Sequence, residues 1–144
     1  MIKEEHFRKL EHMYVNAPLN KYFRPKLHIT EGQARLTLPV REEFFHAAGA
    51  VHGSVIFKAL DDTAFFAVSS LIENVFVLTV SFNIYLIRAI QEGEMTAVGR
   101  VVHHGRRLFI AESEVTDNQG QVIARGSGTF MLSSIPLSPD IGYT

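Results

Sequence analysis

The 144-residue chain carries 14 Lys and Arg against 15 Asp and Glu, a formal net charge of −1, and 47% of its residues are hydrophobic. This composition is typical of a single globular domain and argues against a general binder of nucleic acids or membrane surfaces, which carries a basic excess. The lack of cysteine excludes disulfides, zinc–thiolate sites and thiol nucleophiles. The N-terminal residues are charged from Lys3 onward and lack the apolar core of a signal peptide, so we expect a cytoplasmic protein.

The first third of the chain predicts a helix and a hairpin. Apolar residues at three- and four-residue spacing predict an amphipathic helix over residues 3–15, which Asn16-Ala17-Pro18 ends. Short alternating runs on either side of Glu31-Gly32 predict a β-hairpin. The apolar loop that follows contains Phe44 and Phe45, which either pack in the core, the commoner use, or cover a cavity or a partner subunit.

A long central helix is predicted over residues 53–73, where apolar side chains occur on every side. Such a helix must be buried nearly all round. Lys58, Asp61 and Asp62 at its middle argue against a membrane span. His52-Gly53-Ser54 opens the helix, where free N–H groups and the helix dipole attract negative charge. This helix start and a carboxylate about two and a half turns away, at ~3.6 residues per turn, form a candidate reaction centre.

Four strand-like runs follow the helix and predict an antiparallel meander. They cover residues 75–89, 95–104, 107–117 and 121–132. Residues 133–144, rich in Ser and Pro, are predicted to be a loose tail. A buried helix followed by a long antiparallel sheet predicts one α+β domain spanning residues 1–144, in which the sheet wraps the helix. The open edges of such a sheet predict a homodimer or homotetramer, because pairing two edges hides them.

Other reaction centres find little support in the sequence. His103 and His104 are adjacent on a strand and point to opposite faces, and no HExxH spacing occurs, so we expect no metal site. Gly126-Ser127-Gly128 is not a GxSxG nucleophile motif, and glycines within a strand more often permit a close approach. No phosphate-binding loop is present. Taken alone, an Asp pair in a helix is more often structural than catalytic, and His52 is more often a cap.

The joint spacing of these residues resembles a known family. The segment HAAGAVHGS from His46 to Ser54, with Asp61 nine residues after His52, is similar to the hotdog-fold acyl-CoA thioesterases, in the branch of the phenylacetyl-CoA and 4-hydroxybenzoyl-CoA enzymes. The family pattern is Asn-x-x-Gly-x-x-His-Gly-Gly, followed by an Asp or Glu on the central helix. The resemblance continues through residues 102–107 and 124–130. It implies the hotdog fold and the hydrolysis of acyl-CoA thioesters.

The resemblance also implies a role for each matching residue. The Gly53 N–H would bind the thioester oxygen as negative charge develops on it. Asp61 would act as a general base on water or attack the carbonyl directly. His46 and His52 would orient the thioester or the water. Thr79, expected from the strand of the other subunit, would hold the water at the edge of the site.

Three positions depart from the family pattern. His46 replaces the family Asn, and Ser54 replaces the second Gly of the His-Gly-Gly motif. The aspartate is doubled: the count from His52 identifies Asp61 as the family acid, whereas the string Asp-Thr-Ala-Phe would identify Asp62. Adjacent helical residues point about 100° apart, so one of the two can face a cavity while the other caps, meets solvent or pairs with a neighbouring lysine.

Coenzyme A would enter as part of the substrate, and we expect no cofactor. Arg88, Arg106 and Arg107 are candidates for binding its phosphates, with solvated surface as an equally good interpretation. The neighbouring phenylalanines favour a hydrophobic or aromatic acyl group; they are Phe44, Phe45, Phe57 and Phe65. Two alternatives remain open: a module that binds acyl-CoA without hydrolysing it, and a hotdog dehydratase or hydratase, whose usual His-containing motifs are not matched.

Overall fold

The computed structural model describes residues 3–144, which form one antiparallel sheet around a central helix. The helices are α1 (Glu4–Val15), α2 (Asn20–Phe23) and α3 (Gly53–Ser69), and the strands are β1 (Lys26–Thr30), β2 (Gln33–Pro39), β3 (Val75–Leu86), β4 (Glu94–His104), β5 (Leu108–Thr116) and β6 (Val122–Pro136). Two 3-10 turns occupy Glu42–Phe44 and Pro139–Ile141. This is the α+β hotdog architecture, and the predicted fold class is confirmed.

The six strands lie in the order β1-β2-β4-β5-β6-β3, and every neighbouring pair is antiparallel. Strands β4, β5 and β6 form the predicted meander, but β3 pairs with β6 instead of β4, so the meander prediction is wrong for this strand. Strand β6 accepts β3 because Gly126 and Gly128 leave room for the Phe82 ring, which a Cβ at either glycine would meet at 2.3 or 2.4 Å. Strand β3 is therefore an open edge of the sheet.

Helix α3 is held against the sheet at its middle. A Cβ on Gly99 of β4 would lie 2.4 Å from the backbone of Thr63, so this glycine permits the close approach of helix and strand. The Ser113 hydroxyl of β5 donates a hydrogen bond to the Leu60 carbonyl at 2.9 Å. Leu60, Thr63 and Ala64 have no exposed surface. The predicted burial is confirmed for the side of the helix that packs on the sheet. It is wrong for the opposite side, where Phe57 is exposed and Asp61 is half-buried.

Helix α3 ends at Ser69, four residues before the predicted end at residue 73. Serine hydroxyls compete for the last carbonyl groups: Ser69 donates to the Phe65 carbonyl at 2.9 Å and Ser70 donates to the Ala67 carbonyl at 2.6 Å. The Ser70 hydroxyl also accepts from the Gly32 N–H at 2.7 Å, which ties the helix end to the β1–β2 hairpin. These side-chain bonds satisfy the end of the helix and stop its propagation.

Helix α1 buries the apolar face that the sequence predicts, with Phe7, Leu10, Met13 and Tyr14 all buried. Phe44 is also buried and stacks on the Phe23 ring at 5.3 Å between centroids, so it packs in the core. Within residues 3–144, no helix has the length and hydropathy needed to cross a membrane.

The prediction of a loose tail from residue 133 is wrong. Strand β6 continues to Pro136, and the Leu137 N–H donates to the Asn74 carbonyl at 3.0 Å. The chain then turns back onto α1, where the Tyr143 hydroxyl lies 2.7 Å from Nδ1 of His6. The prolines are compatible with this arrangement because Pro136 is the last residue of β6, at an irregularity in its pairing with β3, and Pro139 begins a 3-10 turn.

Candidate active site

The start of α3 presents a free backbone N–H. His52 is the N-cap, and its Nδ1 accepts a hydrogen bond from the Ser54 N–H at 3.0 Å, with the Ser54 hydroxyl 2.8 Å from the same nitrogen. An accepting Nδ1 places the ring proton on Nε2. Within the described chain, no group accepts a hydrogen bond from the Gly53 N–H. The N-terminus of α3 can therefore donate to an external oxygen, with the helix dipole behind it.

Asp61 faces strand β3 from the middle of α3. Its Oδ1 accepts a hydrogen bond from the Thr79 hydroxyl at 2.9 Å. The sequence predicts that Thr79 comes from the strand of the other subunit; the contact with Asp61 lies within one chain, and the chain that brings Thr79 to Gly53 stays a prediction. The two residues meet within one chain because β3 runs directly beside α3 after the tight turn that follows Ser69.

Burial raises the pKa of the Asp61 carboxyl to about 6. The hydrogen bond from Thr79 lowers this pKa, the negative charge of Asp62 raises it, and the positive charge of Lys58 lowers it. A carboxylate with a pKa near 6 is mostly ionised at neutral pH and is still basic enough to take a proton from a reacting water.

Asp62 is occupied by two partners. Its Oδ2 accepts from the Tyr14 hydroxyl at 2.5 Å and from Nζ of Lys58 at 2.7 Å. Burial raises the pKa of the Tyr14 phenol, and the charge and hydrogen bond of Asp62 raise it further, so Tyr14 remains a donor. In residues 3–144, Asp61 by contrast forms no ion pair within 4.0 Å. The two adjacent carboxylates thus differ: one is neutralised by its neighbours and the other is available to a ligand.

A cavity of about 660 Å³ opens beside Asp61, a volume within the range of small-molecule sites. The cavity lies between α1, the loop before α2, α3, β3 and the turn at Pro139–Ile141. Its apolar lining includes Met13, Phe65, Phe66, Phe76 and Ile141. Asp61 and Thr79 also line it, so a substrate in the cavity would contact the available carboxylate.

Gly53 lines a different and smaller hollow, of about 250 Å³, together with His46 and Arg88. His46 is exposed, and its ring centroid lies 6.5 Å from that of His52. Gly53 and Asp61 are eight residues apart, which separates them by about 12 Å along the helix axis. To act on one thioester, a donor at Gly53 would have to lie about 3 Å from the carbonyl oxygen, and the carboxylate would have to reach the same carbonyl carbon directly or through one water. Within one chain they are too far apart to do so.

Arg106 and Arg107 line a third hollow, at the turn between β4 and β5, with His103, Gly105 and Leu108. Leu108 pairs with Met131, which pairs with Leu78, the neighbour of Thr79. The two arginines are therefore at the same end of the sheet as Thr79 but do not line the cavity of Asp61. No group of three or more His, Asp or Glu side chains in the described part of the chain could hold a metal ion.

Phe57 lies on α3 between Gly53 and Asp61, and Phe82 lies on β3 between Thr79 and Leu86. The Phe57 ring packs against the Phe82 ring at 5.6 Å and 90°, and Phe82 rests on the backbone of Gly126 and Gly128. The Gly126-Ser127-Gly128 motif thus permits a close approach, as the sequence indicates. The glycines set how deeply Phe82 sits and so fix the contact between β3 and the Phe57 side of α3.

Sequence reasoning missed Tyr14 and the turn at Pro139–Ile141 as parts of the cavity. Tyr14 is visible only as one residue of an apolar helix face, and its contact with Asp62 joins residues 48 positions apart. The C-terminal turn has no local pattern that links it to α3. Both assignments require the tertiary fold.

The chain resembles several known proteins. The model of the family described as the Thioesterase superfamily matches residues 48–124. A candidate esterase from Sulfurisphaera tokodaii is 30% identical over 134 residues, which cover 92% of this chain and 98% of that protein. The Escherichia coli PaaI protein from the phenylacetic acid degradation operon has a TM-score of 0.86 at 19% identity, covering 96% of this chain and 100% of that one. A candidate esterase from Mycobacterium tuberculosis has a TM-score of 0.76 at 25% identity, covering 81% and 97% of the two chains.

Proposed function

The chain belongs to the thioesterase superfamily, and from that premise we propose that it hydrolyses acyl-CoA thioesters to the free acid and coenzyme A. The observation that carries the proposal is the pair of unlike carboxylates on α3. Asp62 is neutralised by Tyr14 and Lys58, whereas Asp61 lies in the cavity with its pKa raised to about 6 and a hydrogen bond from Thr79.

In the proposed reaction Asp61 takes a proton from a water molecule as the water oxygen attacks the thioester carbonyl carbon. The carbonyl oxygen gains negative charge and is stabilised by the Gly53 N–H. Collapse of the intermediate breaks the carbon–sulfur bond, and the proton held by Asp61 passes to the thiolate. Thr79 keeps the carboxylate in place. The alternative route is direct attack by Asp61 on the carbonyl carbon, which breaks the carbon–sulfur bond and forms a mixed anhydride; a water molecule then hydrolyses the anhydride to the free acid and the Asp61 carboxylate, and the thiolate takes up a proton from that water.

A complete site requires two copies of the chain, because Gly53 and Asp61 of one chain are about 12 Å apart along α3. The open edge of β3 offers the contact. Thr79 contacts Asp61, and a Cβ on Gly53 would lie 2.8 Å from Leu86. On β3, Thr79 therefore marks the position of Asp61 and Leu86 marks the position of Gly53. Antiparallel pairing of β3 with its copy about an axis between Phe82 and Asn83 would set Thr79 opposite Leu86 of the partner subunit. Asp61 would then face Gly53 of the partner subunit.

The same arrangement gives the arginines a role. Arg88 lines the hollow of Gly53, so the partner's Arg88 would lie beside the oxyanion donor, near the leaving coenzyme A. Arg106 and Arg107 flank the same end of the sheet as Thr79. All three are exposed and can bind the phosphates of coenzyme A. His46 and His52 border the oxyanion donor and would orient the thioester.

The first experiment is thiol release from a panel of acyl-CoAs by the purified protein, with acetyl-CoA and aryl-CoAs included. Hydrolysis of at least one member is expected. Tight binding of acyl-CoAs without hydrolysis would contradict the proposal and favour a binding module.

The shared site is tested by mixing two inactive variants. Gly53→Pro removes the N–H at the first position of α3, where proline is well tolerated. Gly53→Ala is its control, because it crowds Leu86 equally and keeps the N–H. After subunits carrying Gly53→Pro and subunits carrying Asp61→Asn have exchanged in equal amounts, the mixture should recover about one quarter of the wild-type rate. Half of the dimers are then mixed, and each mixed dimer has one site with an unchanged Gly53 and an unchanged Asp61. No recovery despite subunit exchange would contradict a site built from two chains.

A further inference from the structure

The C-terminal segment, residues 137–144, forms one side of the cavity that contains Asp61. Asp140, Ile141 and Gly142 all line this cavity. Gly142 packs closely on α1, since a Cβ there would lie 3.5 Å from Cα of Met13. The cavity thus has the catalytic carboxylate on one side and Met13 with Ile141 on another.

The segment is fixed in place by a buried histidine. His6 is 3% exposed, and its Nε2 lies 2.9 Å from the Ser69 carbonyl oxygen. A carbonyl can only accept, so Nε2 carries the ring proton and Nδ1 accepts from the Tyr143 hydroxyl at 2.7 Å. Thr144 adds a hydrogen-bonding contact of 2.9 Å to Nδ1 of His12. A segment anchored to both α1 and the end of α3 is a fixed wall of the cavity.

The charges in the cavity indicate which end of an acyl-CoA it accepts. Three carboxylates line it, those of Asp61, Asp62 and Asp140. Among the described residues that line it, Lys58 is the one cation, and its Nζ is already paired with Asp62 at 2.7 Å. The phosphates of coenzyme A would be repelled here. The phenylalanine side chains that line the same cavity fit a hydrophobic acyl group instead.

From these contacts we propose that the C-terminal segment limits the acyl group, with Ile141 and Met13 as specificity-determining residues and Tyr143, through His6, as a positioning residue. The proposal rests on the proposed thioesterase function and adds its substrate class: hydrophobic acyl groups whose size is set by the distance from Asp61 to Ile141. A longer acyl chain meets Ile141, and a shorter one leaves apolar surface uncovered.

The test compares kcat/KM for acetyl-, hexanoyl- and dodecanoyl-CoA in variants of Ile141. Each additional buried methylene changes selectivity by about fourfold. Ile141→Ala removes three carbons from the wall; if the longer chain gains room for about two methylenes, the dodecanoyl to hexanoyl ratio should rise by roughly 16-fold, and Ile141→Trp should lower it. Tyr143→Phe removes only the hydroxyl bonded to His6 and should raise the same ratio by a smaller factor. Ile135→Ala is the matched control, because Ile135 is exposed on β6 and does not line the cavity.

Circular dichroism and solution mass establish whether each variant is folded. If Ile141→Ala does not fold, Ile141→Val replaces it. Ratios equal to that of wild type in both the smaller and the larger Ile141 variants would overturn the proposal while leaving thioester hydrolysis intact. If wild type hydrolyses no acyl-CoA, the proposed function fails, and calorimetric binding of the uncharged hexanamide and dodecanamide still tests the wall. Loss of dodecanamide binding in Ile141→Trp would support the wall, and unchanged binding would overturn it.

Discussion

The hydrogen bond from Thr79 should set the acid limb of the pH–rate profile. Asp61 must lose its proton to act as a base, and burial raises its pKa to about 6, so kcat/KM should rise with pH through a midpoint near that value. The Thr79 hydroxyl donates to the carboxylate at 2.9 Å and favours its ionised form. Thr79→Val keeps the shape of the side chain and removes the donor, so the midpoint should move to higher pH.

The size of the shift follows from the strength of one exposed hydrogen bond. A hydrogen bond to a charged group contributes about 1.5–3 kcal/mol. Because Thr79 is exposed, solvent weakens this hydrogen bond, and its contribution to the ionised form of Asp61 is about 1 kcal/mol. Since one pKa unit corresponds to ~1.36 kcal/mol, the midpoint should rise by about 0.7 units. At pH 6 kcat/KM should fall about threefold from this cause, and at pH 8 the ionisation of Asp61 should no longer limit it.

The assay is the initial rate of thiol release from one acyl-CoA between pH 5 and 9. Thr129→Val is the control, because Thr129 lies on β6 and pairs with Ser81, whereas the hydrogen bond to Asp61 comes from Thr79. Loss of a water contact at Thr79 would lower the rate equally at every pH and would not move the midpoint. A midpoint that stays at the wild-type value, or falls, would refute the reasoning about the carboxylate.

Three further changes probe stability and substrate binding. The raised pKa of Asp61 means that its ionised form opposes folding as pH rises from about 4 to above 6, so Asp61→Asn should raise Tm at pH 7.5 by about 2–4 °C and give no gain at pH 4. The same difference in Tm between Asp61→Asn and wild type at both pH values would contradict this. Arg106→Ala with Arg107→Ala should raise KM for acyl-CoA and spare a short thioester that lacks the nucleotide; equal losses on both substrates would argue against phosphate binding. Gly128→Ala places a Cβ 2.4 Å from the Phe82 ring and should lower the free energy of unfolding in urea by about 1–3 kcal/mol; an unchanged midpoint would contradict this.

The sequence predicts those parts of the molecule that depend on local patterns. The start of α3 follows from a histidine cap and a glycine, and its burial follows from apolar residues on every side. The strands are predicted by runs of alternating apolar and polar residues that are separated by turn residues. The count of nine residues from His52 to Asp61 identifies a carboxylate that lies in the cavity and is free of a cation, and helix geometry makes such a count reliable.

Contacts between distant segments could not be predicted in this way. The pairing of β3 with β6 depends on the room that Gly126 and Gly128 leave for an aromatic ring, and alternation in either strand does not encode it. The C-terminal segment is polar and Pro-containing, which is typical of a tail, yet the contact between Tyr143 and His6 fixes it across 137 residues of sequence. The contact between Thr79 and Asp61 of its own chain was not predicted, because a residue pattern does not reveal which copy of a strand lies beside a helix.

The most direct test of the account is the rate of acyl-CoA hydrolysis by Asp61→Asn, measured beside Asp62→Asn. Asparagine keeps the shape of the side chain and cannot accept the proton from water, so Asp61→Asn should lower kcat by about 10² or more. Asp62→Asn should lower it far less, because Asp62 is occupied by Tyr14 and Lys58, although the variant should be less stable. Both variants must have the wild-type solution mass. A fully active Asp61→Asn enzyme, or an Asp62→Asn variant that is folded and inactive, would contradict the assignment of Asp61 as the catalytic base.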